Sequence, residues 1–140
     1  MMINEISAGI VFFRSVLSEN HFLLLNYPQN HWDFVKGKIE KNEEPLETAR
    51  REAEEETGII DFEFIDGFEE HVEYDFRFKN EDIHKKVIFF LAKTDTKKIR
   101  LSDEHFDHIW LEYDDALKKI THENAKNVLI KAKKFLLNAR

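Results

Sequence analysis

No cysteine occurs in the chain, which excludes disulfides, thiolate metal ligands and a thiol nucleophile, and suits a reducing compartment. Proline appears twice and glycine four times, so few positions break an element and each glycine is expected where the backbone requires one. Basic residues are outnumbered: 21 Lys and Arg face 28 Asp and Glu, for a net charge of −7. A duplex binder draws most of its affinity from neutralising phosphates, so duplex nucleic acid is not the expected partner. Long apolar runs are missing too. Val87 to Ala92 falls far short of a membrane span. Met1 to Ser7 lack the basic-then-apolar pattern of a signal peptide. The expectation is a cytoplasmic protein with no membrane partner.

What is present is a core. Thirteen Phe and a hydrophobic fraction of 42% are enough for one folded domain over all 140 residues. Strands are read over Ile6–Arg14 and His21–Tyr27, with a turn at Ser18–Asn20. Pro28–His31 is read as a loop, and Trp32–Ile39 as short extended structure broken by Gly37. Pro45–Thr57 is a helix, since proline suits its first turn and Gly58 its end. Phe62–Phe78 reads as a strand kinked at Gly67, Lys79–His84 as a turn, Lys85–Lys93 as a buried strand and His108–Glu112 as a short one. A last helix spans His122–Asn138, with Ala125, Val128, Leu129, Ala132, Phe135 and Leu136 in one apolar stripe. The class is α+β, a mixed sheet sandwiched between helices.

The chemistry concentrates in Gly37–Ile59, GKIEKNEEPLETARREAEEETGI. On the helix, Glu52, Glu55 and Glu56 stand at i, i+3 and i+4 and share a stripe, while Leu46, Ala49 and Ala53 form a neighbouring stripe that can bury. With Glu54, four acids crowd the C-terminal half of the helix. There they oppose the helix dipole, at roughly 0.3–1 kcal/mol each, and repel one another. A solvated acidic face is the ordinary reading of such a pattern. A hard cation with oxygen ligands would turn the penalty into a gain.

The same segment resembles the Nudix box, G-x5-E-x7-R-E-U-x-E-E-x-G-U, with U a bulky aliphatic. Gly37, Glu43, Arg51, Glu52, Glu55, Glu56, Gly58 and Ile59 match at the right spacing, and Ala53 at the first U position is the one departure. The resemblance implies a Nudix fold, an α/β/α sandwich, and hydrolysis of a phosphoanhydride by cation-activated water. The implied cofactor is Mg²⁺, with Mn²⁺ as the alternative. Its implied ligands are Glu52, Glu55, Glu56 and the backbone carbonyl of Lys36. Arg51 would pair with Glu43 and orient the loop. Glu104, in LSDEHFDHIWL, is the implied further ligand or general base.

Outside the box the chain resembles the asymmetric diadenosine tetraphosphate hydrolases along nearly its whole length. The resembling pieces are SAGIVFFR, HFLLL, HWDFVKGKIE, GFEEHVEYDF, KKVIFFLA and LSDEHFDHIWL. Val35 and Lys38 stand where that subfamily usually has Pro and His, and Phe89 where it often has Tyr. The implied partner is a small nucleotide, cut to a nucleoside triphosphate and a monophosphate. Tyr74, Phe89 and Phe76 are expected as base stackers, although Phe at alternating strand positions is more often core. Lys85, Lys36 and Lys38 are expected at phosphates, with Arg77 and Lys86 behind them. Trp32 is read as a lid over the base or as core. His105 is a weak phosphate candidate. Two alternatives stay open: another Nudix pyrophosphohydrolase, acting on RNA 5′ ends or on damaged nucleoside triphosphates, and a non-catalytic nucleotide-binding module.

Overall fold

The computed structural model describes residues 2–105 and 107–138. In chain order the elements are β1 (Met2–Val16), β2 (Glu19–Tyr27), β3 (His31–Asp33), β4 (Val35–Lys38), α1 (Pro45–Thr57) and β5 (Glu63–Phe64). β6 (Glu70–Phe78), β7 (Glu81–Lys93), β8 (Asp107–Glu112), α2 (Tyr113–Lys119) and α3 (Glu123–Asn138) follow. All eight strands join one mixed sheet. β1 and β7 run parallel along its middle, in register from Met2↔Asp82 to Phe13↔Lys93. β4 and β2 pair antiparallel with different stretches of β1, and β6 pairs antiparallel with β7.

A central parallel pair has to be covered on both faces, which is why Ala8–Phe13 and Val87–Ala92 are buried throughout. Strand alternation divides them. Val11, Phe13, Val87, Phe89 and Leu91 pack under α3 and α2 with Phe22, Leu24 and Phe34. Ala8, Ile10, Phe12, Ile88, Phe90 and Ala92 pack under Ala49 and Ala53 of α1. The layers are helix, sheet, helix.

The bounds of α1 agree with the sequence reading. The Glu47 carboxylate accepts from the Glu44 N–H at 2.9 Å, Pro45 opens the first turn, and Gly58 closes the last at φ 77° with its N–H on the Glu54 carbonyl. Leu46 does not join the buried stripe and stays 46% exposed. Other expectations are corrected. His31 begins β3, and Gly37 lies inside β4, paired with Ala8. Gly67, at φ 93°, separates β5 from β6 and does not kink a single strand. The turn at Lys79–His84 shrinks to Lys79 and Asn80, because Glu81–His84 pair with β6 and Asp82–His84 with β1 as well. α2 was not expected. No helix among the described residues is long and apolar enough to cross a membrane.

Candidate active site

Alanines 49 and 53 seat α1 on the sheet, and the seat turns Glu52 and Glu56 towards β4. The Glu52 carboxylate lies directly against the Cα of Gly37, so close that a methyl group there would overlap its carbon and both oxygens. Arg51 secures the arrangement from the solvent side. Its guanidinium donates to Glu43 at 2.7 and 3.1 Å, to Glu52 at 2.8 Å, to Glu55 at 3.2 Å and to the Lys38 carbonyl at 3.0 Å. These bonds hold the Glu43 carboxyl down at about 2. Glu52 moves the other way, up to about 7, through burial and then the charge of Glu56, against the pull of Arg51.

Glu56 is the buried member, its side chain 5% exposed. Burial raises its pKa; a hydrogen bond from His105 Nε2, 2.8 Å from Oε1, opposes the rise. Glu104 completes a group in which ligand atoms of Glu56, Glu104 and His105 all lie within 4.8 Å of one another. Glu56 Oε2 is buried without a hydrogen-bond partner among the described residues. A buried carboxylate oxygen left unpaired is costly, and the groups gathered around it are carboxylates and one imidazole. Such a set fits a hard divalent cation.

On the sheet face under α3 a cavity of about 760 Å³ opens, within the range of small-molecule sites. Val72, Tyr74, Phe76, Val87 and Phe89 line it from β6 and β7, His122 and Asn124 from the start of α3, and Tyr27, His31, Asp33 and Lys36 from the other side. The Lys36 ammonium lies 3.0 Å from Asp33 and 5.9 Å from the centre of the Tyr27 ring. Burial works to lower the pKa of Lys36, but Asp33 overrides it and the lysine stays charged. Tyr27 donates to the Phe34 carbonyl at 2.6 Å and presents its ring edge-on to His105, with centroids 4.5 Å apart. Tyr27 and Lys36 thus belong to the cavity and border the carboxylates as well.

The structure therefore brings together Arg51, Glu52, Glu55, Glu56, Glu104 and the Lys36–Gly37 backbone. Tyr74, Phe76, Arg77 and Lys36 line the cavity. Lys38 and Lys85 sit one sheet row away, both paired with Glu5, at 3.2 and 3.5 Å. Lys86 points to the opposite face of the sheet from Lys85. Phe89 touches the cavity but is 2% exposed, with Phe34 edge-on to it, so most of its ring belongs to the core beneath. Trp32 packs against the core with Lys119 over its ring, the second of the two readings given for it. Tyr27, Asp33 and His122 were missed, and His105 was undervalued. Nothing local marks them, because their neighbours come from distant segments.

Comparison with known proteins gives the family. The family model described as NUDIX domain matches residues 4–132. The chain is 36% identical to the bis(5′-nucleosyl)-tetraphosphatase (asymmetrical) of Rattus norvegicus, over 93% of this chain and 94% of that one. It is 31% identical to the enzyme of the same name from Caenorhabditis elegans, over 93% and 95%. Among solved structures, a binary complex of a C. elegans Ap4A hydrolase superposes with a TM-score of 0.85 at 30% identity, covering 95% of this chain and 98% of that one. With a family model spanning almost its whole length and relatives above 30% identity over nine-tenths of it, the chain belongs to the NUDIX family.

Proposed function

We propose that this chain hydrolyses dinucleoside polyphosphates and cuts diadenosine tetraphosphate asymmetrically to ATP and AMP. The observation that carries the proposal is the junction at Tyr27 and Lys36, where an aromatic-lined cavity large enough for a nucleoside meets the carboxylate cluster. The rat and worm relatives, which carry that activity in their names, support it. The partner is a small soluble nucleotide, and the cytoplasm is the proposed compartment.

Mg²⁺, or Mn²⁺ in its place, would be held by Glu52, Glu55, Glu56, Glu104 and the Lys36 carbonyl. When bound, the cation supplies positive charge to phosphate oxygens and acidifies water for attack at phosphorus, with no covalent enzyme intermediate. The side chains do the rest. Arg51 fixes the carboxylates of Glu52 and Glu55, and Glu104 would serve either as the further ligand or as the base that accepts a proton from the attacking water. Tyr74 offers a face for one adenine. Lys36 neutralises the phosphates nearest the cluster, with Lys85 and Lys38 one row further along the sheet.

The test is product analysis by chromatography after incubation with diadenosine tetraphosphate and Mg²⁺ in heavy-oxygen water. ATP and AMP in equal amounts, with label in AMP and loss of turnover in Glu56→Gln, is the expected result. Two molecules of ADP, or an untouched substrate beside a cleaved nucleoside triphosphate or RNA 5′ end, would overturn the substrate assignment.

A further inference from the structure

The proposed mechanism leaves one buried group unused. The His105 side chain is 1% exposed and its Nε2 lies 2.8 Å from Glu56 Oε1, joining the loop before β8 to α1 across 49 positions of sequence. A histidine buried this deeply usually serves packing alone, but three features of its surroundings point elsewhere. The bond engages one oxygen of Glu56 and leaves Oε2 without a partner among the described residues. The imidazole is fixed by the edge-on ring of Tyr27, which is itself tied to the Phe34 carbonyl. His105 Nδ1 is buried as well and has no hydrogen-bond partner among the described residues, so the bond seen to hold the ring is the one at Nε2.

Building on the proposed cation site, we infer that His105 is a positioning residue that sets the rotation of the Glu56 carboxylate and so presents Oε2 as a ligand. An ionised carboxylate accepts and cannot donate, so Nε2 must carry the proton in this pair. With Oε1 engaged by that N–H, rotation of the carboxylate about its terminal bond breaks the hydrogen bond, and Oε2 stays aimed in one direction. Partners of this kind, one bond behind a metal ligand, commonly govern affinity by orienting the ligand. Tyr27 extends the arrangement to the cavity wall. It holds the ring that holds the carboxylate, so the wall that receives the nucleotide and the ligand that receives the cation share one support.

The substitutions that separate positioning from packing are His105→Leu, which keeps bulk and removes the donor, and His105→Gln, whose amide nitrogen reaches the place of Nε2. Mn²⁺ affinity of the full chain is read by electron paramagnetic resonance titration. His105→Leu should weaken Mn²⁺ binding about 10- to 100-fold, while His105→Gln should stay within about 3-fold of the parent. If His105→Leu does not fold, His105→Asn replaces it: the same amide, too short to reach Glu56, should bind as weakly as expected for Leu. Spin-echo modulation from a directly bonded imidazole nitrogen should be absent from the Mn²⁺-loaded parent.

The inference is overturned if Leu (or Asn) binds Mn²⁺ as the parent does, or if Gln is as weak as Leu. It is also overturned if a nitrogen signal lost in His105→Gln shows that the histidine is itself a ligand. A parent protein that binds no Mn²⁺ would overturn the cation site itself.

Discussion

Replacing Gly37 with alanine should abolish catalysis while leaving the fold nearly untouched. Gly37 is not among the positive-φ glycines, so alanine adopts its backbone conformation without strain. The added methyl, however, meets the carbon and both oxygens of the Glu52 carboxylate. That carboxylate ends a flexible side chain and can retreat, at about 0.5–1.5 kcal/mol for a displaced torsion. Relief from the unfolded-state entropy of glycine, about 0.4–1 kcal/mol, offsets most of it. To regain ordinary contact the carboxylate must recede by more than about 1 Å, whereas metal sites tolerate ligand shifts of about 0.2 Å. Losing one ligand in this way corresponds to a loss of 100-fold or more in turnover, about 3 kcal/mol.

Gly9→Ala provides the contrast. Its methyl would run into the backbone carbonyl of Val35, which cannot swing aside, with Lys36 Cβ at 2.8 Å and Phe89 Cε1 at 3.0 Å. That variant should lose stability or fail to fold. Thermal melts together with turnover and Mn²⁺ affinity check the pair. Gly37→Ala turning over within about 3-fold of the parent, or melting as poorly as Gly9→Ala, would refute the reasoning.

Three further outcomes are expected. The folded-state pKa of Glu52, about 7, lies above its ordinary 4.5, so in metal-free protein its contribution to stability is complete below pH 4.5 and is lost as pH rises through 7. The unscreened size is about 3 kcal/mol, reduced to about 1–2 by partial solvent access. Urea unfolding at several pH values should show that loss relative to Glu52→Gln, and a flat difference would contradict it. Tyr74→Ala should raise KM for diadenosine tetraphosphate by about 1–3 kcal/mol of lost stacking with little change in stability. Phe89→Ala should instead cost about 3–5 kcal/mol in stability, and steady-state kinetics beside denaturation curves tell the two apart. Arg51→Lys keeps the charge but cannot span Glu43, Glu52, Glu55 and the Lys38 carbonyl at once. A loss of about 1–3 kcal/mol in urea unfolding is expected, and an unchanged midpoint would show that these bonds are individually dispensable.

How far the sequence could be read depended on whether the deciding contact was local. The bounds of α1 were legible because Pro45 and Gly58 act within one turn of themselves. The buried stripe of α3 was legible from its period, and the strands around Val11 and Leu91 from short apolar runs bounded by polar residues. α2 was not, since Tyr113–Lys119 is short and charged and buries only Ala116. The start of β7 was not, since Ile83 stands alone among the polar Glu81, Asp82 and His84, and the segment becomes strand by pairing with β6 and, from Asp82 on, with β1. In the site, spacing on one helix gave Glu52, Glu55 and Glu56. No spacing could place His105 against Glu56 or Tyr27 against His105, because each of these pairs joins segments brought together only by the sheet.

The site is also where local rules of stability are broken, and the violations coincide. Acidic side chains occupy the helix end that disfavours them. A glycine stands inside β4 where neither a turn nor a positive φ calls for one, and what it accommodates is the Glu52 carboxylate. A carboxylate oxygen of Glu56 is buried without a partner among the described residues. Any one of these features has a harmless explanation elsewhere in a protein. All three meet in the contact between α1 and β4, and a single cation coordinated there would offset the like charges, engage the orphaned oxygen and account for the missing side chain at Gly37. Local inconsistency of this kind is expected where function and stability compete. The three violations fall where the proposed cation site lies, independently of the spacing along α1.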